Sequence, residues 1–228
     1  MKNIKELSFS FLFLAILICD IVLNSSDHLH SFRIITKPLI TISLILFYYM
    51  NSSQRQKKER ETIIIALFFL LIGDMFLLEE SRFYHFSLGF IAFLLANITY
   101  SYLLYRSAHN EVKKSIPFLI IVVIYFLVVY YLIYDKIQGN FIPVTVYLFA
   151  VLNMMQSACL RHKVVNNKSF YLVFTGALLF MISQNIFAIN MFYKPVPYKD
   201  ILIILFYGLS QLLIVQGILV EQKKFRRF

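Results

Sequence analysis

A single aspartate inside an apolar stretch is the residue of this sequence best suited to do chemistry. Asp74 follows Gly73 within the apolar run 62–78. A charged aspartate near the centre of a bilayer costs about 2.5–3.5 kcal/mol on insertion scales, so such a residue usually faces a partner, a cavity or a substrate. A carboxylic acid held there can donate a proton to a bound molecule. Asp74 is therefore predicted to be the central functional residue, with Gly73 allowing close approach of a backbone or a ligand.

Other polar residues lie in apolar segments at a similar inferred depth. They are Lys37, Asn97, Ser183, Gln184, Tyr207 and Gln211. Lys37 stands next to Pro38, a residue suited to the first turn of a helix. Because polar groups are costly to leave in lipid, we expect Asp74 and five of these side chains to share one pocket in the outer half of the protein. Those six are Lys37, Asp74, Asn97, Gln184, Tyr207 and Gln211.

Plainer roles stay open for most of these residues. Lys37 can extend its ammonium group to the lipid headgroups, or it can form an ion pair with Asp74 or Asp20. Asn97, Gln184 and Gln211 can serve as hydrogen-bonding contacts between helices. Asp20 lies close enough to the end of its segment to reach water, which favours a structural role.

The composition indicates an integral membrane protein. The chain is 60% hydrophobic, with a mean hydropathy of +0.73, above the roughly 45–50% apolar content of soluble domains. Eight apolar runs have the length that crosses a bilayer, and backbone groups in lipid require them to be helices. The runs are 7–24, 34–50, 62–78, 86–105, 115–134, 141–160, 169–192 and 199–220. We therefore predict an all-α polytopic transmembrane helix bundle that forms a single membrane domain over residues 1–228.

The positive charge is distributed as in a membrane protein. The net charge is +10, but 16 of the 22 Lys and Arg residues lie at the two termini and in alternate loops. The remaining 6 lie in or next to the other loops. Because cytoplasmic loops are rich in Lys and Arg, both termini are predicted to be cytoplasmic. This pattern argues against binding of nucleic acid, and the basic tail 223–227 is expected to contact anionic headgroups.

The sequence predicts no metal site and no cofactor, because no Cys/His spacing suggests zinc or haem. His28 and His30 share a short loop, which reads as a solvated loop rather than a metal site. A faint repeat aligns Leu71–Asp74 with Met181–Gln184 at an offset of 110 residues. It would make two parallel halves of four helices each, although so short a match also arises by chance.

Several segments, in order along nearly the whole chain, resemble the YhhN-like lysoplasmalogenase family of membrane proteins. Thr36-Lys37-Pro38-Leu39 resembles the opening of the family's second span. Gly73-Asp74, the segment 89–100, the segment 176–184 and the pair Tyr207 and Gln211 resemble elements of later spans. The family pattern has His at the position of Asn97 and Asp at the position of Gln184.

The resemblance implies hydrolysis of the vinyl ether bond of a lysophospholipid, which releases a fatty aldehyde and a glycerophospho-head group. It implies Asp74 and Gln184 as catalytic positions and the bacterial cell (inner) membrane as the location. The implied substrate-binding positions are Lys37, Asn97, Ser183, Tyr207 and Gln211. The alternatives are a catalytically degenerate lipid-binding or structural protein on the same scaffold and, less favoured, a small transporter, since few Gly or Pro residues interrupt the spans.

The charge pattern makes a testable prediction of topology. With eight spans and the basic loops inside, a reporter fused after residue 228 should be active only in the cytoplasm. A reporter that is active on the outer side of the membrane would contradict the predicted orientation.

Overall fold

The computed structural model describes residues 2–26, 28–79, 83–108, 112–137 and 141–222. These ranges contain eight α-helices and two short 3-10 helices, at His30–Phe32 and Leu77–Glu79. The α-helices are α1 (Lys2–Asn24), α2 (Arg33–Asn51), α3 (Lys57–Phe76), α4 (Phe83–Arg106), α5 (Val112–Ile137), α6 (Phe141–Cys159), α7 (Asn167–Phe192) and α8 (Lys199–Leu219). The prediction of an all-α polytopic protein is confirmed, since one helix covers all or nearly all of each apolar run.

Seven of these helices are long and apolar enough to cross a membrane, and the protein is an integral membrane protein. The remaining helix, α3, opens with the charged segment 57–61, and its apolar part runs only from Thr62 to Phe76. A 3-10 helix then carries the chain on to Glu79. Large apolar side chains more than half exposed cover the helix surfaces, as a lipid-facing protein requires; examples are Phe11, Ile34, Ile121 and Phe149.

The chain forms two compact units, residues 1–100 and 101–228. In the first unit, α2 packs against both α1 and α3. The described part of α4 also reaches α3, because the Phe93 ring lies over Gly73 and Gly89 lies beside Leu77. In the second unit α7 packs along α8 and also contacts α5 and α6. The proposed sequence repeat stays a prediction.

The start of α2 differs from the expectation. Pro38 was predicted to occupy the first turn, but α2 begins at Arg33, directly after a 3-10 helix, so Pro38 lies inside the helix. Proline has no backbone N–H, and therefore the carbonyl of Ile34, four residues earlier, loses its usual helical donor. The 3-10 helix accounts for the difference, since it carries the helical path into α2 ahead of the apolar run.

Two glycines set the distance between α7 and α8. A Cβ atom on Gly176 would lie 2.8 Å from Ile214 Cγ1 and 2.9 Å from the backbone carbonyl oxygen of Ser210. A Cβ atom on Gly217 would lie 2.6 Å from Val173 Cγ2. Small residues at such positions let two membrane helices approach closely enough for their backbones to touch. The second unit therefore depends on glycine at both positions.

We expect Gly176→Ala to lower the thermal stability of the detergent-purified protein, because the added methyl group meets backbone atoms that cannot rotate away. Overpacking of this kind typically costs about 1–3 kcal/mol. Gly73→Ala is the matched control, since the atoms nearest to its Cβ belong to the Phe93 ring and can move. A melting temperature for Gly176→Ala that equals or exceeds that of the control would contradict the prediction.

Candidate functional site

Asp74 is buried inside the first unit and is bonded by a hydroxyl group of α2. Its side chain lies in the last turn of α3, and the residue is 1% exposed. The hydroxyl of Thr41, itself fully buried, donates a hydrogen bond to Asp74 Oδ2 at 2.8 Å. The carboxyl group thus faces a neighbouring helix and is shielded from the lipid surface.

Lys37 lies on the same helix as the threonine that bonds this carboxyl group. It precedes Thr41 by four residues on α2, so the two residues share one face of the helix, one turn apart. The Thr41–Asp74 bond places that face toward α3. Lys37 is half-buried, and its long stem can reach either along the helix or outward to a headgroup.

A second buried carboxylate, Asp20, occupies the other side of α2. Asp20 Oδ1 accepts a hydrogen bond of 2.6 Å from the Thr36 hydroxyl, and Oδ2 lies 3.4 Å from Arg33 Nη2. The expectation that Asp20 reaches water was wrong, because the residue is completely buried. The sequence gives depth along a helix but does not show that α2 covers this position. The expected structural role fits the ion pair.

Asn97 on α4 carries a buried acceptor. Its Nδ2 donates to the Phe93 carbonyl oxygen at 2.9 Å, which fixes the orientation of the amide. The opposite atom, Oδ1, is buried and has no hydrogen-bond partner within the part of the chain that the structure describes. Such an atom loses much of its solvation unless a water molecule or ligand donates to it.

The depth of Asn97 follows from the packing of α4 on α3. Gly89 lies beside the carbonyl oxygen of Gly73, and Phe93 packs on Gly73. Asn97 is eight residues beyond Gly89, a distance of about 12 Å at the helical rise per residue. Side chains tilt toward the start of their own helix. The Asp74 and Asn97 side chains are therefore closer in depth than the backbone positions of the two residues.

In the second unit, two of three consecutive polar residues of α7 bond neighbouring helices. The Ser183 hydroxyl donates to the Ile203 carbonyl oxygen of α8 at 3.0 Å. Gln184 Oε1 accepts a bond of 2.5 Å from the Tyr147 hydroxyl of α6. Asn185 Nδ2 donates to the Met181 carbonyl oxygen within α7 at 2.7 Å. The bonds of Ser183 and Gln184 therefore hold α8 and α6 to the same turn of α7.

Tyr207 and Gln211 lie one turn apart on α8, as predicted from their spacing. The Tyr207 ring packs at 6.3 Å from the Phe180 ring of α7. Gln211 is completely buried, and its Nε2 donates to Ser210 Oγ at 3.3 Å. Both residues therefore lie in the interior of the second unit.

The predicted site residues fall into two groups. Lys37, Asp74 and Asn97 belong to the first unit, and Ser183, Gln184, Tyr207 and Gln211 belong to the second. Convergence of the two groups on one pocket stays a prediction. In the described ranges, no three His, Cys, Asp or Glu side chains gather as metal ligands would.

The sequence reasoning missed the residues that bond the predicted ones. These are Thr41, Thr36, Arg33 and Tyr147. Threonine and tyrosine are common in apolar helices. Their hydroxyl groups often bond the backbone of their own helix or lie at the membrane interface, so the residue type alone did not identify them as partners of the predicted residues. The spacing of four residues between Lys37 and Thr41 was the one available sign.

The chain was also compared with known proteins. The sequence model of the YhhN family matches residues 32–218, a range that contains all the predicted site residues and ends within α8. No curated protein and no solved structure matches the chain.

The buried ion pair makes a prediction about stability. We expect Arg33→Gln to destabilise the protein by about 3–5 kcal/mol, because it leaves the Asp20 carboxylate buried without its cation. The measurement is thermal or denaturant unfolding in detergent. The double variant Asp20→Asn with Arg33→Gln should recover part of the loss; an Arg33→Gln variant as stable as the unmodified protein would contradict the pairing.

Proposed function

The chain belongs to the YhhN family, and we propose that it is a lysoplasmalogenase-like membrane hydrolase. It would cleave the vinyl ether bond of a lysophospholipid, giving a fatty aldehyde and a glycerophospho-head group. The observation that carries the proposal is Asp74, a carboxyl group that is 1% exposed inside a membrane protein and receives the Thr41 hydroxyl. An ionisable group buried inside a membrane span usually marks a functional site.

The chemistry needs one proton donor in a dry site. Asp74 in its acid form transfers a proton to the β-carbon of the vinyl ether, and the double bond becomes an oxocarbenium ion. A water molecule adds to the cationic carbon and returns a proton to Asp74. The resulting hemiacetal loses its bond to the glycerol oxygen, which leaves as a hydroxyl group, and an aldehyde remains. The Asp74 carboxylate formed in the first step also stabilises the cation, as carboxylates do in glycoside hydrolysis.

Lys37 is suited to the phosphate of the substrate. It lies on the same face of α2 as Thr41, one turn nearer the start of the helix. That start is the end predicted to lie at the outer headgroups, where a compact ammonium group meets phosphates as a point charge. The phosphate would then lie on the outer side of Asp74, with the hydrocarbon chain extending deeper.

Asn97 offers the acceptor that an attacking water needs. Its Oδ1 is buried without a partner in the described part of the chain, and it can accept one proton of a bound water. An amide cannot take up the second proton as a histidine would, so Asp74 must complete that transfer. Gln184, the other departure from the family pattern, can orient a water but supplies no negative charge. Its Oε1 is bonded to Tyr147, which leaves Nε2 as its donor.

The proposal includes a location. We place the protein in the bacterial cell membrane with both termini in the cytoplasm, as the distribution of Lys and Arg predicts. The partners are then the bilayer and a lysolipid that enters from it, and the reaction needs no cofactor.

The second candidate is a lipid-binding protein that has lost catalysis. It is favoured by the bond between Tyr147 and Gln184, which gives Gln184 a structural use at a position where the family pattern has a carboxylate. Both candidates bind a lysolipid, and they differ only in aldehyde release.

We expect the purified protein in nanodiscs to release a fatty aldehyde from a lysoplasmalogen, and Asp74→Asn to reduce the rate by about 10²–10⁴-fold or abolish it. Asp20→Asn is the matched control, because it changes another buried carboxylate that α2 also bonds. It should retain turnover at a temperature where the variant stays folded. Aldehyde release that survives Asp74→Asn would show that the chemistry lies elsewhere.

Substitutions that restore the family residues at positions 184 and 97 distinguish the hydrolase from the lipid-binding protein. An unmodified protein with weak activity should gain rate from Gln184→Asp. If it binds lysolipid, releases no aldehyde and gains nothing from Gln184→Asp combined with Asn97→His, the lipid-binding function is the better account.

A further inference from the structure

We propose that one end of the second unit binds the phosphate group of an anionic phospholipid through Lys163 and Lys168. This end contains the loop between α6 and α7 together with the end of α8, and the distribution of Lys and Arg predicts it to be cytoplasmic. Both lysines are exposed, and they flank Asn166, the residue that precedes α7. Binding of lipid at this surface does not depend on the proposed hydrolase activity.

The sequence concentrates positive charge at this end. Residues 161–168 and 221–227 together contain seven Lys and Arg residues and one acidic residue, Glu221. From residue 136 onward the sequence has one other acidic residue, Asp200, and it lies at the opposite end of α8. A surface with this balance of charge attracts anionic headgroups that come within about one Debye length of it.

A buried ion pair holds the loop against the end of α8. Arg161 is completely buried, and its Nη2 lies 2.9 Å from Glu221 Oε2. The same nitrogen donates to Ser169 Oγ at 2.9 Å, and the Ser169 hydroxyl donates to the Gly217 carbonyl oxygen at 2.7 Å. Because breaking a buried pair is strongly destabilising, this contact fixes the backbone that carries the two lysines.

Backbone pairing brings the start of the basic tail to the same surface. The Asn166 N–H donates to the Gln222 carbonyl oxygen at 2.9 Å, and the Gln222 N–H donates to Asn166 Oδ1 at 2.8 Å. Lys163 and Lys168 are three and two residues from Asn166 in the chain, so the backbone of each lies within about 11 Å of it. The tail 223–227 lies outside the described residues, but it follows directly on Gln222.

Lys163 has a backbone conformation that favours glycine. Its φ is 62°, in the left-handed region, where a side chain adds steric strain. This turn brings the N–H groups of Val164 and Val165 to the Arg161 carbonyl oxygen, at 3.1 and 3.3 Å. Strained residues of this kind gather at functional sites, where the side chain is needed. A lysine in a position suited to glycine therefore supports a role for its charge.

An exposed tyrosine indicates the depth of this surface. Tyr171 is 61% exposed and lies three residues after Lys168, on the same face of α7. Tyrosine is enriched where the hydrocarbon of a membrane meets the headgroups. Lys168 therefore lies at the level of the lipid phosphates, which favours a lipid over a soluble anion as the ligand.

The measurement uses the absence of tryptophan from the sequence. Tyr171→Trp introduces a single fluorophore next to Lys168, and brominated phosphatidylglycerol or brominated phosphatidylcholine in the bilayer quenches it on contact. We expect phosphatidylglycerol to bind at this position about fivefold more tightly than phosphatidylcholine in low salt, with most of the preference lost at 1 M salt. Tyr131→Trp is the matched control, since Tyr131 is 82% exposed near the other end of α5. It should show a preference below about twofold.

Substitutions in the Tyr171→Trp protein test the two lysines. Lys163→Gly and Lys168→Gln should each lower the preference by about two- to fivefold. Because glycine relieves the left-handed strain, Lys163→Gly should retain or raise the melting temperature, which separates the effect of charge from a loss of folding. Lys199→Gln, which removes a lysine at the opposite end of α8, should change the preference by less than about twofold.

Three outcomes would overturn the lipid site, and none of them bears on aldehyde release. The first is equal binding of the two lipids beside Lys168. The second is a preference that survives the combined Lys163→Gly and Lys168→Gln substitutions and disappears only when residues 223–228 are removed, because the tail alone would then account for it. The third is displacement of phosphatidylglycerol by inorganic phosphate at constant ionic strength, which would identify a site for a free anion.

Discussion

The exclusion of water from membrane-spanning helices makes it costly to leave a buried polar side chain without a partner. In the first unit α2 supplies the partners: the hydroxyl of Thr36 donates to Asp20 of α1, and the hydroxyl of Thr41 donates to Asp74 of α3. In the second unit α7 supplies them: Ser183 bonds α8, and Gln184 bonds α6. The same bonds that satisfy polar groups therefore also hold the helices in register.

The two buried carboxylates of the first unit have different proposed roles. Asp20 accepts a hydroxyl group and is paired with the guanidinium group of Arg33, and breaking such a buried pair is strongly destabilising, which fits a structural role. Asp74 accepts the hydroxyl of Thr41, and the proposed function requires its carboxyl group to release and regain a proton as a general acid does.

The helices could be predicted from the sequence because a run of about 20 apolar residues in lipid has few alternatives to a helix. The contacts of the site could not, because they depend on which faces of which helices meet. Asp74 was recognisable from its cost in lipid, but the only sign of its partner Thr41 was the spacing of four residues from Lys37, since the residue type alone does not separate it from a threonine bonded to its own backbone. For the same reason the burial of Asp20 and the Tyr147–Gln184 bond became visible only in three dimensions.

The central claim is that Asp74 donates the proton that opens the vinyl ether. The most direct test is the rate of aldehyde release by the purified protein in H₂O and in D₂O, at matched lipid and protein concentrations. Protonation of carbon by a carboxylic acid is the slow step of the proposed reaction, so turnover should be slower in D₂O. Equal rates in the two solvents, with chemistry shown to limit turnover, would contradict proton transfer from Asp74 as the catalytic step.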